Sequence, residues 1–422
     1  MAWLRDVLPS VTDAEPDEAV PVGWAFLYFF CLLCGYYILR PVRDEMAIEG
    51  GVQQLPWMMT ATFVTLLLVT PIFGWLSARA PRYRLLLIVY TFFGLNLVLF
   101  FVAMTGHLSP QWAARTFFVW LSVFNLFVVS VFWSVMADLF TPTQGARLFG
   151  VIAAGGSIGA MFGPLLTTGL TYLIPIPVLL LISVGFLVAC GLCVYQLDRW
   201  AMARPSREIS RQGEPIGGST WAGVRLVLSS PYLLVICLYL FFLTTTATFL
   251  YLEQMRLVSE QIPSPEGRTR LFALIDLVVN VLTFLMQVMV TSRVISRFGL
   301  ASALVVLPVA SAIGFGVIGV MPILVAFILF TVVRRVGEYA LAKPAREILF
   351  TVVSREEKYK AKNFIDTAVS RGGDATTGWI VSGVKVLGLT AGQMVWVLVP
   401  LSLLWGWVGW FLARQEEKMR GG

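Results

Sequence analysis

Histidine is almost missing from this chain: His107 is the only one among 422 residues. That removes imidazole metal centres and His-based acid–base catalysis, leaving carboxylates and lysines as the titratable groups for such work. Charge is scarce too, at 13% Asp, Glu, Lys and Arg against 58% hydrophobic residues. No G-x-x-x-x-G-K-[ST] run occurs, which argues against a nucleotide-hydrolysing pump. Acids are absent between Glu49 and Asp138. The five cysteines include two C-x-x-C pairs, Cys31/Cys34 and Cys190/Cys193, but neither pair has a His or acid beside it. They read as small buried thiols rather than a metal or redox centre. The first twenty residues lack the basic start and small-residue cleavage site of a secretory signal, so the N-terminus is expected to stay in the cytosol.

What the chain has in abundance is apolar runs of about 20 residues, each long enough to cross a hydrocarbon core of ~30 Å. The runs do not alternate polar with apolar side chains, so they predict helices rather than a barrel. The expected fold is an all-α polytopic membrane protein with twelve transmembrane helices in two six-helix pseudo-repeats. Residues 1–21 form a cytoplasmic N-terminal segment, 22–197 the first bundle, 198–230 a basic cytoplasmic linker, 231–413 the second bundle and 414–422 a cytoplasmic tail. The net charge of +7 is spread over the edges of the spans, as orientation by the positive-inside bias predicts, and not in a patch that would bind a nucleic acid polymer. Arg79, Arg147, Arg293 and Lys358 mark the cytoplasmic side; Arg115, Arg256, Arg268, Arg270 and Lys385 fall on the other.

Charges inside the spans carry the functional signal. A central Arg costs roughly 2.5–3.5 kcal/mol to insert, so it survives where it faces a partner or water. The first span ends in Arg40-Pro41-Val42-Arg43-Asp44-Glu45, and Leu39-Arg40-x-x-Arg43 is answered by Leu252-Glu253-x-x-Arg256 in the seventh. On the eighth span Asp276, Asn280, Thr283 and Gln287 fall within about 60° of one another at helical spacing and predict a polar stripe. The tenth span carries Arg334, Arg335, Glu338, Lys343, Arg346 and Glu347, with Arg334–Glu338 and Lys343–Glu347 as i,i+4 pairs. The eleventh adds Asp366, Ser370, Arg371, Asp374 and Thr377. Asp366 and Asp374 have two readings: sites for a proton or sodium ion, or neutralisers of neighbouring arginines.

Gly74 to Arg84 resembles the G-x-L-x-D-R-x-G-R-[RK] loop of the major facilitator superfamily, with Arg79 in register but Ala78 and Pro81 replacing its aspartate and glycine. Gly159-x-x-x-Gly163-Pro164 in the fifth span resembles the antiporter-associated motif of the same superfamily. Its glycines have two readings, plain tight helix packing or a gating role. The six-plus-six layout is that superfamily's, with a substrate site between parallel halves.

Tyr37-Ile38-Leu39-Arg40-Pro41-Val42-Arg43-Asp44 resembles the first-helix signature of the nucleotide transporter family, the ATP/ADP exchangers of plastids and intracellular bacteria. Lys343-Pro344-Ala345-Arg346-Glu347, with Lys358 to Asp366 and Ser370-Arg371-Gly372-Gly373, resembles its tenth-to-eleventh helix region, and Phe132-Trp133 fits its fourth helix. The resemblance implies substrate contact from Arg43, Glu253 and a basic residue near Lys360 or Lys362. It implies a bacterial relative, and so an inner (cytoplasmic) membrane location; the charge asymmetry is what puts both termini in the cytoplasm. The family's glutamate early in the fourth helix has no counterpart here.

The function expected from these residues is secondary active transport of a small, anionic solute by alternating access, without cofactor or enzymatic chemistry. The partners are the solute, membrane lipid and a coupling proton or sodium ion. Substrate contacts are expected from Arg40, Arg43, Glu253, Asp276, Asn280, Gln287, Arg335, Glu338, Arg346 and Lys362. Coupling and gating are expected from Asp44, Asp366, Arg371, Asp374, Arg79, Gly159, Gly163 and Pro164. The alternatives are proton- or sodium-coupled transport of a non-nucleotide solute, and a non-transporting sensor.

Overall fold

Apolar runs flanked by breakers become helices throughout the computed structural model, which describes residues 15, 18–79, 82–106, 109–202, 220–354 and 361–421. The helices are α1 (Ala19–Glu49), α2 (Leu55–Arg79), α3 (Arg82–Thr105), α4 (Pro110–Leu139), α5 (Pro142–Leu170), α6 (Ile176–Met202) and the short α7 (Thr220–Ser229). There follow α8 (Pro231–Gln261), α9 (Pro265–Met286), α10 (Ser292–Val320), α11 (Leu324–Gly337), α12 (Lys343–Leu349), α13 (Lys362–Phe364), α14 (Ser370–Val386) and α15 (Ala391–Gly421). Proline opens α4, α5, α8 and α9, where its missing N–H is not needed. At the start of α5, Thr141 and Gln144 form a reciprocal capping box.

Nine helices among the described residues are long and apolar enough to cross a membrane, and one of them, Pro265–Val320, runs for 56 residues. That one holds a break: Gly299 at φ 77°, a left-handed conformation that glycine adopts without steric cost. The stretches α11–α12 and α13–α14 fall outside the nine, being charged and interrupted by π-helical turns at Glu338–Ala342 and Ile365–Val369. A third π-helical turn, Gln287–Thr291, joins α9 to α10. Many large apolar side chains stay exposed, Leu68, Leu95, Leu99 and Val288 each at 65%, as acyl chains rather than water would tolerate.

The described chain falls into two compact units. The first comprises residues 1–50, 69–216 and 264–277; the second comprises 51–68, 217–263 and 278–422. The beginning of α2 therefore belongs to the second unit and the beginning of α9 to the first.

In the first unit, α1 is the central post. Phe29 stacks on Phe132 with centroids 4.1 Å apart, and Trp133 meets Phe29 edge-on at 5.5 Å. Buried Tyr28 hydrogen-bonds Tyr90. Cys31, Cys34, Cys190 and Cys193 are free and buried, in keeping with packing thiols. The glycines of α5 bring its backbone onto α1: a Cβ at Gly159 would stand 2.3 Å from the Phe30 carbonyl oxygen, and one at Gly163 2.6 Å from that of Cys34.

In the second unit, Tyr239 on α8 donates to the Leu304 carbonyl at 2.9 Å and packs beside Trp405. The start of α2 is held there by Trp379, whose indole N–H donates to Thr60 at 2.9 Å and whose ring meets Trp57 at 4.7 Å.

Candidate functional site

Each unit carries its own set of charged side chains lodged among apolar helices. In the first, Pro41 sits inside α1 and cannot donate a backbone N–H, and the charges cluster around that weak point. Arg40 pairs with Asp276 at 3.2 Å, where the Asp276 side chain is 1% exposed. Arg43 lies over the Phe118 ring at 4.7 Å and donates to Asp44 at 3.2 Å. Glu45 is fully buried and accepts two hydrogen bonds from Arg268, at 2.7 and 2.6 Å. Near these, Arg115 donates to the Gly50 carbonyl at 2.7 Å, and Arg270 lies over the Tyr172 ring at 3.3 Å.

The two-point grip of Arg268 on Glu45 uses the planar guanidinium fork, a geometry lysine cannot supply. Asp276 and Arg268 lie on the same stretch of α9, so this segment is tied to α1 at two charged points about two turns apart. In the sequence Arg268 reads only as a charge on the non-cytoplasmic side, at the start of the eighth span. Its partner is 223 residues away, so no spacing rule could have paired them.

In the second unit, α8 and the stretch from α11 to α14 build the other set. Buried Arg334 donates to the Leu243 carbonyl at 2.7 Å and to Glu338 at 3.1 Å. Asp374 accepts from the Thr248 hydroxyl at 2.8 Å and pairs with Arg371 at 3.4 Å. Arg346 pairs with Asp366 at 3.0 Å, and Lys362 with Glu347. Glu253 is fully buried and pairs with Arg256 at 2.8 Å and Lys385 at 2.7 Å. Buried Gln254 accepts from Thr331 at 2.9 Å.

Two of the π-helical turns meet in this unit. A π turn leaves backbone carbonyls without their usual helical donors. Here Gln287 donates to the Tyr339 carbonyl at 3.2 Å and Thr291 to that of Ala340 at 2.7 Å.

The predicted site residues thus fall into two groups. Arg40, Arg43, Asp44, Asp276, Gly159, Gly163 and Pro164 are in the first unit. Glu253, Asn280, Gln287, Arg335, Glu338, Arg346, Lys362, Asp366, Arg371 and Asp374 are in the second. The eighth-span stripe is divided between them, Asp276 in one unit and Asn280, Thr283 and Gln287 in the other. The Arg79 side chain, Lys358 and Lys360 lie outside the described residues. Among the described residues no group of three or more His, Cys, Asp and Glu is placed to hold a metal ion. Sequence reasoning passed over Thr248 and Thr245; the run Thr244-Thr245-Thr246-Ala247-Thr248 in an otherwise apolar helix was the available signal.

The sequence profile of the Major Facilitator Superfamily matches residues 25–341. The chain is 20% identical to ADP,ATP carrier protein 1 of Chlamydia muridarum, over 91% of this chain and 85% of that one. It is 21% identical to the chloroplastic ADP,ATP carrier protein 1 of Arabidopsis thaliana, over 85% of this chain and 66% of the relative. Its fold resembles the crystal structure of the nucleoside transporter NupG, at 12% identity and TM-score 0.65, covering 93% and 98% of the two chains. It also resembles an inward-facing bacterial homologue of the iron transporter ferroportin, at 14% identity and TM-score 0.66, covering 93% and 98%. A polytopic helical chain with buried ion pairs, matched by that profile over most of its length and by transporters in sequence and fold, belongs to the Major Facilitator Superfamily and is a membrane transporter rather than an enzyme.

Proposed function

We propose that the chain is a secondary active transporter of a small anionic solute, nucleotide-like or otherwise phosphorylated or carboxylated, working by alternating access. The observation that carries this reading is the Arg40–Asp276 pair on α1 and α9, with Arg43 one turn further along α1. Burying two charges costs several kcal/mol per ion before their attraction offsets it, so such a pair is a poor device for stability alone. It is well suited to exchange, because an anionic solute reaching Arg40 or Arg43 replaces one carboxylate with another anion. Guanidinium forks match phosphate and carboxylate oxygens. The likeness to ADP,ATP carriers supports a nucleotide-like solute.

The proposed topology has twelve crossings. The break at Gly299 divides Pro265–Val320 into two, and α11–α12 and α13–α14 add the charged pair that hydropathy alone passes over. Both termini face the cytoplasm of a bacterial inner membrane in this reading, with Arg147 and Arg293 among the residues setting the orientation. Glu253, Glu338, Arg346, Lys362, Asp366 and Arg371 serve the solute or its coupling ion.

A second reading, ion-coupled transport of a non-nucleotide solute, is favoured by one observation. No acid lies between Glu49 and Asp138, where the nucleotide transporter family carries a fourth-helix glutamate. Uptake by proteoliposomes of radiolabelled nucleotides, sugar phosphates and carboxylates, with and without a proton gradient, decides between them. Arg43→Glu and Glu253→Lys should each abolish uptake; full uptake by both variants would remove the site assignment.

A further inference from the structure

α8 presents a run of hydroxyls, and α14 presents a bare backbone with one acid. Thr244, Thr246 and Thr248 are buried at 4%, 0% and 3% exposure. Opposite Thr244, a Cβ at Gly373 would fall 2.3 Å from the Thr244 hydroxyl oxygen, so only glycine lets the two helices come this close. The next residue, Asp374, accepts from Thr248 at 2.8 Å through Oδ1. One turn on, buried Thr377 donates to Thr245 at 3.2 Å. Asp374 thus accepts from Thr248 in a seam where α8 and α14 also meet through Thr244, Thr245 and Thr377.

Its other oxygen, Oδ2, meets Arg371 at 3.4 Å, well beyond the 2.7–2.9 Å of a strong charge-assisted bond. Arg371 approaches from the open side, with its side chain 42% exposed. A loose, half-exposed guanidinium over a buried acid is a cation that can be replaced.

We infer that Asp374 with the hydroxyls of Thr244, Thr245, Thr248 and Thr377 forms a binding site for a small alkali cation, sodium, in competition with the Arg371 guanidinium. One carboxylate and neutral oxygens balance a single positive charge. Calcium takes six to eight oxygens, commonly from several carboxylates, and magnesium demands near-octahedral oxygens and keeps its waters; neither suits this set. Sodium bound at Asp374 releases Arg371, whose freed guanidinium then takes an anionic solute. That coupling role rests on the transport reading above; sodium binding itself does not.

The test needs no transport. Purified protein in detergent is melted at fixed pH and fixed ionic strength in mixtures of NaCl with choline chloride, and again with KCl. A saturable stabilisation specific to sodium is expected. Thr248→Ala should weaken the apparent sodium affinity about tenfold, at the lower end of what losing a metal-site partner costs. Asp374→Asn should abolish the response. Arg371→Ala should tighten it, a change in the opposite direction that a merely misfolded variant cannot produce. Equal stabilisation by choline, potassium and sodium would overturn the proposal. So would a sodium response unchanged in Thr248→Ala and untightened in Arg371→Ala, or stabilisation by acid with none by sodium. Any of these could occur while uptake of the anionic solute in proteoliposomes stands, which separates the two readings.

Discussion

Arg268 and Glu45 are separated by 223 residues in sequence yet share two hydrogen bonds of 2.7 and 2.6 Å, with the Glu45 carboxylate fully buried. They bind the start of α9 to the end of α1 inside one compact unit. Removing only one partner leaves the other charge buried and unmatched. Arg268→Met should therefore lower stability by about 3–5 kcal/mol. The double variant Arg268→Met/Glu45→Leu should recover most of that loss, because an apolar pair of similar size strands no charge. Unfolding in a denaturing detergent series reads both. Equal losses in the single and double variants would show that the pair matters for shape and not for charge.

The seam between α5 and α1 makes a different demand, of volume and not of charge. Gly159→Ala puts a methyl group 2.3 Å from the Phe30 carbonyl oxygen and should cost about 1–3 kcal/mol through forced separation of the two helices. Gly169, on the same helix, has nothing within 4 Å of a built Cβ. Gly169→Ala should be neutral or slightly stabilising, since alanine is the better helix former. Comparing the melting temperatures of the two variants separates contact from propensity.

Glu18, just before α1, gives a prediction in pH. Burial alone would raise its carboxyl, but the Glu15 backbone N–H, the Gln144 amide and Arg147 outweigh that and hold it below the ordinary glutamate range. A depressed folded-state value stabilises the fold above the ordinary glutamate value, and the contribution is lost as pH falls through the depressed one. Wild-type protein should be more stable than Glu18→Gln at neutral pH, by about 1.5–3 kcal/mol for a bond to a charged group. The two melting curves should converge as pH is lowered from 6 to 3.

Much of the architecture could be read in advance from apolar run lengths, because a hydrocarbon core constrains helices more severely than water does. The pairs Arg334–Glu338 and Arg256–Glu253 were accessible as well, being set by helical spacing of four and three residues. The Arg40–Asp276, Glu45–Arg268 and Glu253–Lys385 pairs were not, because each joins helices remote in sequence and local periodicity says nothing about which helix lies beside which. The π turns escaped notice for a related reason. A turn at 338–342 widens where its carbonyl groups find donors elsewhere, and the donors at Gln287 and Thr291 gain meaning only because Tyr339 and Ala340 stand opposite. Nothing in the sequence pairs Thr248 with Asp374, 126 residues away, whose carboxylate accepts from it.

Residues 51–68 complete the second unit and residues 264–277 the first, so each half of the polypeptide lends the other a piece of its interior. A gene cut in the linker would yield two fragments that are each unfinished. The fragment ending near residue 216 would keep Glu45 and Arg40 but lose Arg268 and Asp276, and the fragment beginning there would keep Trp379 but lose Trp57 and Thr60. Each fragment would lack contacts that complete its unit, and the missing lengths would have to come from the co-expressed partner. Cooperative assembly of the whole chain is thus written into its connectivity.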